Sequence, residues 1–311
     1  MFLTFHATRF PGWLFCLIQA LACYHWGYIH NLSPLMYRLF QWFINAVVLF
    51  MFVGWWVWPY IQSYLPYEDT TTPDEVLALD SEIDEVLEQV EPNFQELYYN
   101  PLPIRPYEFL RESSTTPIPN QDNYLSSVQS VVYLTIEDAD GWIYLGSGTI
   151  LTADGLIMTN YHVIDNAVKV VVTTSDGQHY PVTGVVASDE LLDITFLKVN
   201  AVDLQPIAVG DSDLVRIGDE TLVIGHAEGF INTLSVGNVA GVRSYQSQGM
   251  GTNIQITNPI SSGNSGGAVI NEYGALIAIP TWSVEYDANI VQVQNLNFAI
   301  PINEALSLLK S

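Results

Sequence analysis

The chain has 311 residues, enough for one large or two medium domains, and carries 33 acidic against nine basic side chains, a net charge of −24. So few Lys and Arg exclude nucleic acid as a partner and recruitment to an anionic lipid surface, since both need clustered positive charge. Only two cysteines occur, Cys16 and Cys23, so nothing downstream can form a disulfide or a cysteine metal site.

From Leu39 to Trp58 the chain is uncharged and almost wholly apolar, with Trp42, Trp55, Trp56 and Trp58 near its ends. That length and aromatic girdle predict a transmembrane helix over 39–58. Phe10 to Ile29 is a second candidate span, weakened by His25 and two glycines. Arg38 precedes the stronger span, whereas Glu68, Asp69, Asp74 and Glu75 follow it, which leaves the remainder on the non-cytoplasmic side. No small-residue cleavage site follows, so residues 1–66 read as an uncleaved membrane anchor.

Residues 67–122 read as a linker in two parts. Pro73 to Val90 predicts a helix, with Val76, Leu79, Ile83, Val86 and Val90 spaced three and four apart between acidic residues. This seam suits either packing on the chain's own domain or self-association. From Pro92 to Asn120 prolines recur at 101, 103, 106, 117 and 119 among Ser and Thr, which predicts an extended spacer holding the next domain off the bilayer.

Residues 123–311 change to short β-type runs punctuated by glycine turns. Strands are expected near Val128 to Thr135, Ile143 to Leu151, Leu156 to Thr159, Lys169 to Thr173, His179 to Ala187 and Thr195 to Val199. A second group falls near Glu220 to Ile224, Thr233 to Arg243, Asn253 to Ile256, Ala268 to Asn271, Leu276 to Trp282 and Asn297 to Ile300. Six strands in each half with little helix between them predict a mainly β fold of two antiparallel six-stranded barrels. A short amphipathic helix is expected from Asn303 to Lys310, with Asn303 as its cap.

Gly263-Asn264-Ser265-Gly266-Gly267 suits either an ordinary turn or a loop presenting a nucleophile and bare N–H groups. Thr159-Asn160-Tyr161-His162-Val163 ends a strand in a turn, where a lone histidine is either structural or a base. Asp193 heads the apolar run Ile194-Thr195-Phe196-Leu197 and needs a partner there, for which a histidine N–H is suited. His, Asp and Ser then stand in the chain order of a two-barrel serine protease.

These segments resemble the HtrA/Deg branch of the trypsin-like proteases. The similarity extends to Gly146-Ser147-Gly148-Thr149-Ile150, Val209-Gly210-Asp211-Ser212-Asp213, Ile217-Gly218-Asp219 and Asn297-Phe298-Ala299-Ile300-Pro301. The resemblance implies Ser265 as nucleophile, His162 as general base and acid, and Asp193 as the group orienting His162, with the N–H groups of Gly263 and Ser265 binding the oxyanion. Asp189 is the nearby competitor for the acid role and reads as a solvated turn residue. It also implies a specificity pocket with Pro259 at its floor and Ile279, Thr281 and Trp282 along one wall, favouring small or medium apolar side chains. Asn264, uncharged before the serine, argues against activation by insertion of a new amino terminus.

Gly225-His226-Ala227-Glu228-Gly229 departs from the family pattern of Asn and Pro, and His226 reads as an exposed loop histidine rather than a pH-sensitive element. With Ser311 as its last residue, the chain is expected to lack the PDZ domain of many HtrA proteins. The expected protein is a membrane-anchored, PDZ-lacking serine endopeptidase acting on unfolded or membrane-associated polypeptides, without metal or cofactor. The alternative is a tethered, catalytically silent binding or chaperone module. A homotrimer assembled through Phe94, Tyr98, Tyr99, Tyr107, Phe109 and Tyr124 is the assembly suggested by the family, with packing on the domain or the bilayer as the other uses of these rings.

Overall fold

The structure, a computed structural model, describes residues 85–245, 251–283 and 296–310. The spans expected at 10–29 and 39–58, and the first part of the helix expected from residue 73, lie outside the described residues. Among the described residues no helix is long and apolar enough to cross a membrane.

The first barrel comprises β1 (Val131–Asp138), β2 (Ile143–Ile150), β3 (Leu156–Thr159), β4 (Ala167–Thr173), β5 (His179–Asp189) and β6 (Ile194–Val199), closed in the order β1-β2-β3-β6-β5-β4. A two-residue strand, β7 (Ala208–Val209), leads to the second half. There β8 (Glu220–Gly225), β9 (Thr233–Ser244), β10 (Thr252–Ile256), β11 (Ala268–Asn271), β12 (Ala275–Ser283) and β13 (Asn297–Pro301) pair in the order β11-β8-β9-β10-β13-β12. Pairing of β11 with β12 closes this second set of six, and β7 lies parallel to β12 outside it. Closure removes free sheet edges from both halves.

Period-two alternation divides the apolar side chains between three interiors. Val132, Leu134, Ile157 and Leu197 fill the first barrel, and Val223, Ile254, Val269 and Ile277 fill the second. Their sequence neighbours Val131, Leu156, Met158, Phe196, Leu222, Ile224, Ala268 and Ile270 face the opposite way and form the core between the barrels. Both faces of these strands are therefore buried, and the seam is fixed in register because a one-residue slip would exchange the two cores.

Beyond the end of the acidic helix at residues 85–88, the described residues hold four short α-helices: α1 (Phe94–Tyr99), α2 (Asn120–Ser127), α3 (Tyr161–Ile164) and α4 (Ile302–Ser307). Helix α4 begins one residue before the expected cap, because Pro301 ends β13 and itself occupies the N-cap. Asn303 instead donates its side-chain amide to Asp211 Oδ1 at 2.7 Å, and its backbone N–H to Ser212 Oγ at 3.1 Å.

The segment expected to be a free spacer is laid on the domain. Its prolines keep it extended, but its backbone bonds to the barrels: Leu102 N–H to Val185 O at 2.7 Å, Val209 N–H to Leu110 O at 2.7 Å, and Ile118 N–H to Glu272 O at 2.7 Å. Gly184 makes room for it, since a Cβ there would run into the Leu102 side chain. Of the six aromatic residues considered for trimer contacts, Phe94 is buried in the first barrel's core, and Tyr107, Phe109 and Tyr124 pack against the core between the barrels. Tyr98 packs on the first barrel, and Tyr99 is 74% exposed. Val86, Leu87 and Val90 of the acidic helix likewise meet Tyr133, Leu145 and Val171. All of these apolar side chains but Tyr99 therefore have contacts on the chain's own domain.

Candidate active site

The site lies at the seam of the barrels, where three connections converge. After β3 the chain turns into α3, which carries His162 on its first turn. The turn between β5 and β6 presents Asp193 with φ of 58°, a left-handed conformation that Asp tolerates better than most residues. Two side chains hold this turn. The Asp189 carboxylate accepts from the N–H groups of Leu191 and Leu192, both at 2.9 Å, and Asn160 Nδ2 donates to the Asp193 carbonyl at 2.9 Å. Asp189 therefore shapes the loop and makes no contact with His162.

Asp193 and His162 form a closed pair. His162 Nδ1 lies 2.8 Å from Asp193 Oδ2 and 3.0 Å from Oδ1, and the His162 backbone N–H donates to Oδ1 at 2.9 Å. Nδ1 facing a carboxylate carries the proton, which leaves Nε2 as an acceptor. The Thr281 hydroxyl donates to Asp193 Oδ2 from the second barrel. The carboxylate thus has partners from both halves of the domain, and its side chain is only 23% exposed.

Ser265 sits in two consecutive β-turns that share Asn264. The Asn264 N–H donates to Ser261 O at 3.1 Å and the Gly267 N–H donates to Asn264 O at 3.0 Å. Gly263 and Gly266 occupy the third position of each turn with φ of 89° and 83°, where glycine alone is unstrained. A Cβ on Gly266 would also run into the Ser147 carbonyl and the Thr159 hydroxyl. The Gly-Asn-Ser-Gly string is thereby accounted for residue by residue. Among the described residues neither the Gly263 nor the Ser265 N–H has a hydrogen-bond partner, so both can donate to an anionic oxygen.

The structure does not bond Ser265 to His162. The Ser265 hydroxyl donates to the Thr281 carbonyl at 3.4 Å, a long and weak bond. Of the residues expected to line a specificity pocket, Thr281 and Trp282 border a cleft of about 540 Å³ together with His162, Leu192 and Ile300. Trp282 is stacked on Phe298 with ring centroids 3.9 Å apart. Ile279 is fully buried in the core between the barrels, and Pro259 is exposed. A register shift between Pro280 and Trp282 explains the division, since a bulge re-aims the side chains beyond it.

His226 is not the exposed loop residue expected. Its exposure is 3%, its ring stands edge-on to Tyr133 at 5.3 Å, and its Nδ1 accepts from the Asn232 N–H at 3.1 Å. Nε2 is buried with no partner of normal geometry among the described residues. Burial pushes its pKa down to about 4, with the Val132 backbone a smaller opposing influence. The unfolded chain therefore takes up this proton first as pH falls. The stabilisation is complete above about pH 6.5 and is lost as pH drops towards 4, by about 3 kcal/mol. Urea unfolding at pH 7.5 and pH 4 should show His226→Gln losing less stability between the two than the parent; equal losses would contradict the assignment.

Two barrels meeting at a His–Asp pair and a glycine-bounded serine define the trypsin-like class. Residues 146–279 match the trypsin-like peptidase domain family. Over 169 residues the chain is 37% identical to the serine endoprotease DegS of Haemophilus influenzae, covering 53% of this chain and 49% of that protein. It is also 37% identical to the periplasmic serine endoprotease DegP of Escherichia coli over 168 residues, covering 53% of this chain and 35% of DegP. The solved HtrA-type protease AlgW with tripeptide superposes with a TM-score of 0.56 at 31% identity, covering 62% of this chain and 63% of that one. Residues 146–279 are thus similar to trypsin-like peptidase domains, and the named relatives are proteases of the HtrA/Deg type. The chain spans about half the length of DegS and about a third of DegP.

Asn160 and Ser147 went unrecognised as individual contributors in the sequence, and Thr281 was assigned to a pocket wall rather than to Asp193. Asn160 stands two residues before His162, and an amide directly after an apolar strand and so close to a candidate base is the signal that could have found it. For Thr281 no local pattern marks the partner, because the contact crosses between barrels.

Proposed function

We propose that the chain is a serine endopeptidase in which Ser265 is the nucleophile, His162 the base and Asp193 its orienting carboxylate. The observation that supports this best is the His162 ring held through Nδ1 by Asp193, beside a turn pair whose Gly263 and Ser265 N–H groups are unengaged. In the reaction the Ser265 hydroxyl leaves the Thr281 carbonyl and turns to His162 Nε2. Its oxygen attacks the substrate carbonyl carbon while Nε2 takes the proton. The resulting oxyanion is bound by the two N–H groups, each contributing about 3 kcal/mol in comparable sites. The proton passes to the leaving amine as the C–N bond breaks, and water hydrolyses the acyl-enzyme by the same route. Free enzymes often hold such bonds loosely before substrate arrives, so the present Ser265 orientation is compatible with this course.

The substrates we propose are unfolded or membrane-associated polypeptides, cleaved after small or medium apolar residues, with Leu192, Trp282 and Ile300 as the apolar lining of a cleft that Asp165 and Glu190 also border. The apolar run from Leu39 to Trp58 supports a membrane anchor with the protease domain on the non-cytoplasmic side. A homotrimer is also proposed, with the exposed Tyr99 and the half-buried Tyr98, Tyr107, Phe109 and Tyr124 as the ring surfaces available to it.

The second reading, a binding module without catalysis, draws on the Ser265 hydroxyl facing Thr281 instead of His162. Incubating the purified chain with a peptide library and with a reduced, unfolded protein separates the two. Cleavage after Ala, Val or Ile is expected; retention of peptides without cleavage would favour the binding module, and preference for Arg would overturn the pocket assignment.

A further inference from the structure

We propose that Ser147 is a positioning residue that holds the oxyanion-binding turn in register across the two barrels. This rests on the reading of Ser265 as a nucleophile and deepens it. Ser147 lies on β2 of the first barrel and is fully buried, yet its polar atoms point into the second. Its hydroxyl donates to the Gly263 carbonyl at 2.6 Å, and its backbone N–H donates to the Ser265 carbonyl at 3.0 Å. The two carbonyls it fixes belong to the same two residues whose N–H groups are free to meet an oxyanion.

The direction of the hydroxyl proton is itself determined. The His226 backbone N–H donates to Ser147 Oγ at 3.0 Å, which occupies a lone pair and leaves the O–H to reach Gly263. A chain therefore runs from the His226 N–H through the Ser147 hydroxyl to the Gly263 carbonyl, with each bond polarising the next. From behind, Thr159 Oγ1 donates to the Ser147 carbonyl at 2.8 Å. Gly225 brings the second barrel's loop close, since a Cβ there would stand 2.6 Å from Asn264 Oδ1 and 3.3 Å from Ser147 Oγ.

The Gly263–Asn264 peptide is thus held at both ends, by Ser147 on its carbonyl and by Ser261 O on its N–H. Glycine at φ 89° offers no resistance of its own to rotation about this peptide. Without the hydroxyl, only the Ser261 bond holds this peptide, and the turn that carries the Gly263 and Ser265 N–H groups can drift away from the oxyanion. Substrate binding would be little affected, because the oxyanion exists only after attack.

The test compares Ser147→Val with Ser147→Thr, which have the same shape and differ only in the hydroxyl. Ser147→Ala removes the hydroxyl without crowding, and thermal unfolding confirms that each variant is folded. With an apolar peptide substrate, Ser147→Val and Ser147→Ala should lower kcat about 10- to 100-fold with KM nearly unchanged, short of the loss of a whole oxyanion donor. Affinity for a peptide boronic acid, which mimics the tetrahedral oxyanion, should fall in parallel. Ser147→Thr should restore most of both. Equal losses in Ser147→Thr and Ser147→Val, a change confined to KM, or full activity in Ser147→Ala would each overturn the proposal. If the parent protein neither cleaves peptide nor reacts with a fluorophosphonate, the protease reading fails first and takes this inference with it, an outcome seen without any variant.

Discussion

Ser265→Ala should lower kcat for peptide cleavage by about 10⁴- to 10⁶-fold while leaving the fold intact. The size of the effect follows from the chemistry: without Oγ no acyl-enzyme can form, and only the binding of substrate and oxyanion is left. The fold should tolerate the change because the two turns around Ser265 are set by Gly263, Gly266 and backbone hydrogen bonds. The hydroxyl itself makes a single bond, at 3.4 Å to Thr281 O, whose loss costs about 1 kcal/mol or less. Steady-state kinetics with thermal unfolding of both proteins checks this. A folded variant retaining a tenth of the parent activity would place the nucleophile elsewhere.

Asp193→Asn should cost about 10⁴-fold in kcat, again with little change in stability. Asp193 adopts φ of 58°, and Asn accepts left-handed backbone about as well as Asp. Its amide oxygen can still accept from the His162 backbone N–H, which now bonds Oδ1 at 2.9 Å. The difference falls on the ring. An amide NH₂ facing Nδ1 donates rather than accepts, so the imidazole carries its proton on Nε2 and can no longer take one from Ser265. The charge that stabilises the imidazolium is lost as well. Loss of less than tenfold in kcat would show that the contact between His162 and Asp193 is structural only.

Much of this domain was legible in the sequence because its determinants are local. β3 and β11 have the expected bounds, and most of the other strands differ by one to three residues. Glycine turns and period-two apolar runs are written within a few positions of where they act. The Gly-Asn-Ser-Gly string was legible for the same reason, since two successive turns each demand glycine at the third position. His162 and Asp193 stood out through their placement at the ends of apolar strands.

What the sequence did not reveal depends on contacts between segments far apart. His226 looked like a solvated loop residue because its neighbours Gly225 and Gly229 suggest a turn; only packing against Tyr133, nearly a hundred positions earlier, buries it. The proline-rich segment looked free because prolines signal extension and say nothing of docking; Gly184 supplies the space for Leu102 from another element. Ile279 and Thr281 looked like one wall, and the bulge at Pro280 and Trp282 separates their roles. Ser147 had no distinguishing mark within its own strand, since its partners Gly263 and His226 both lie in the other barrel.

Catalysis requires that the Ser265 hydroxyl be activated by His162 and Asp193. Reaction with a fluorophosphonate, followed by digestion and mass spectrometry of the modified peptide, reads this directly. The predicted result is one adduct per chain, on Ser265, formed by the parent protein and absent from His162→Ala. An unmodified Ser265 in folded parent protein, or equal labelling after His162→Ala, would contradict it.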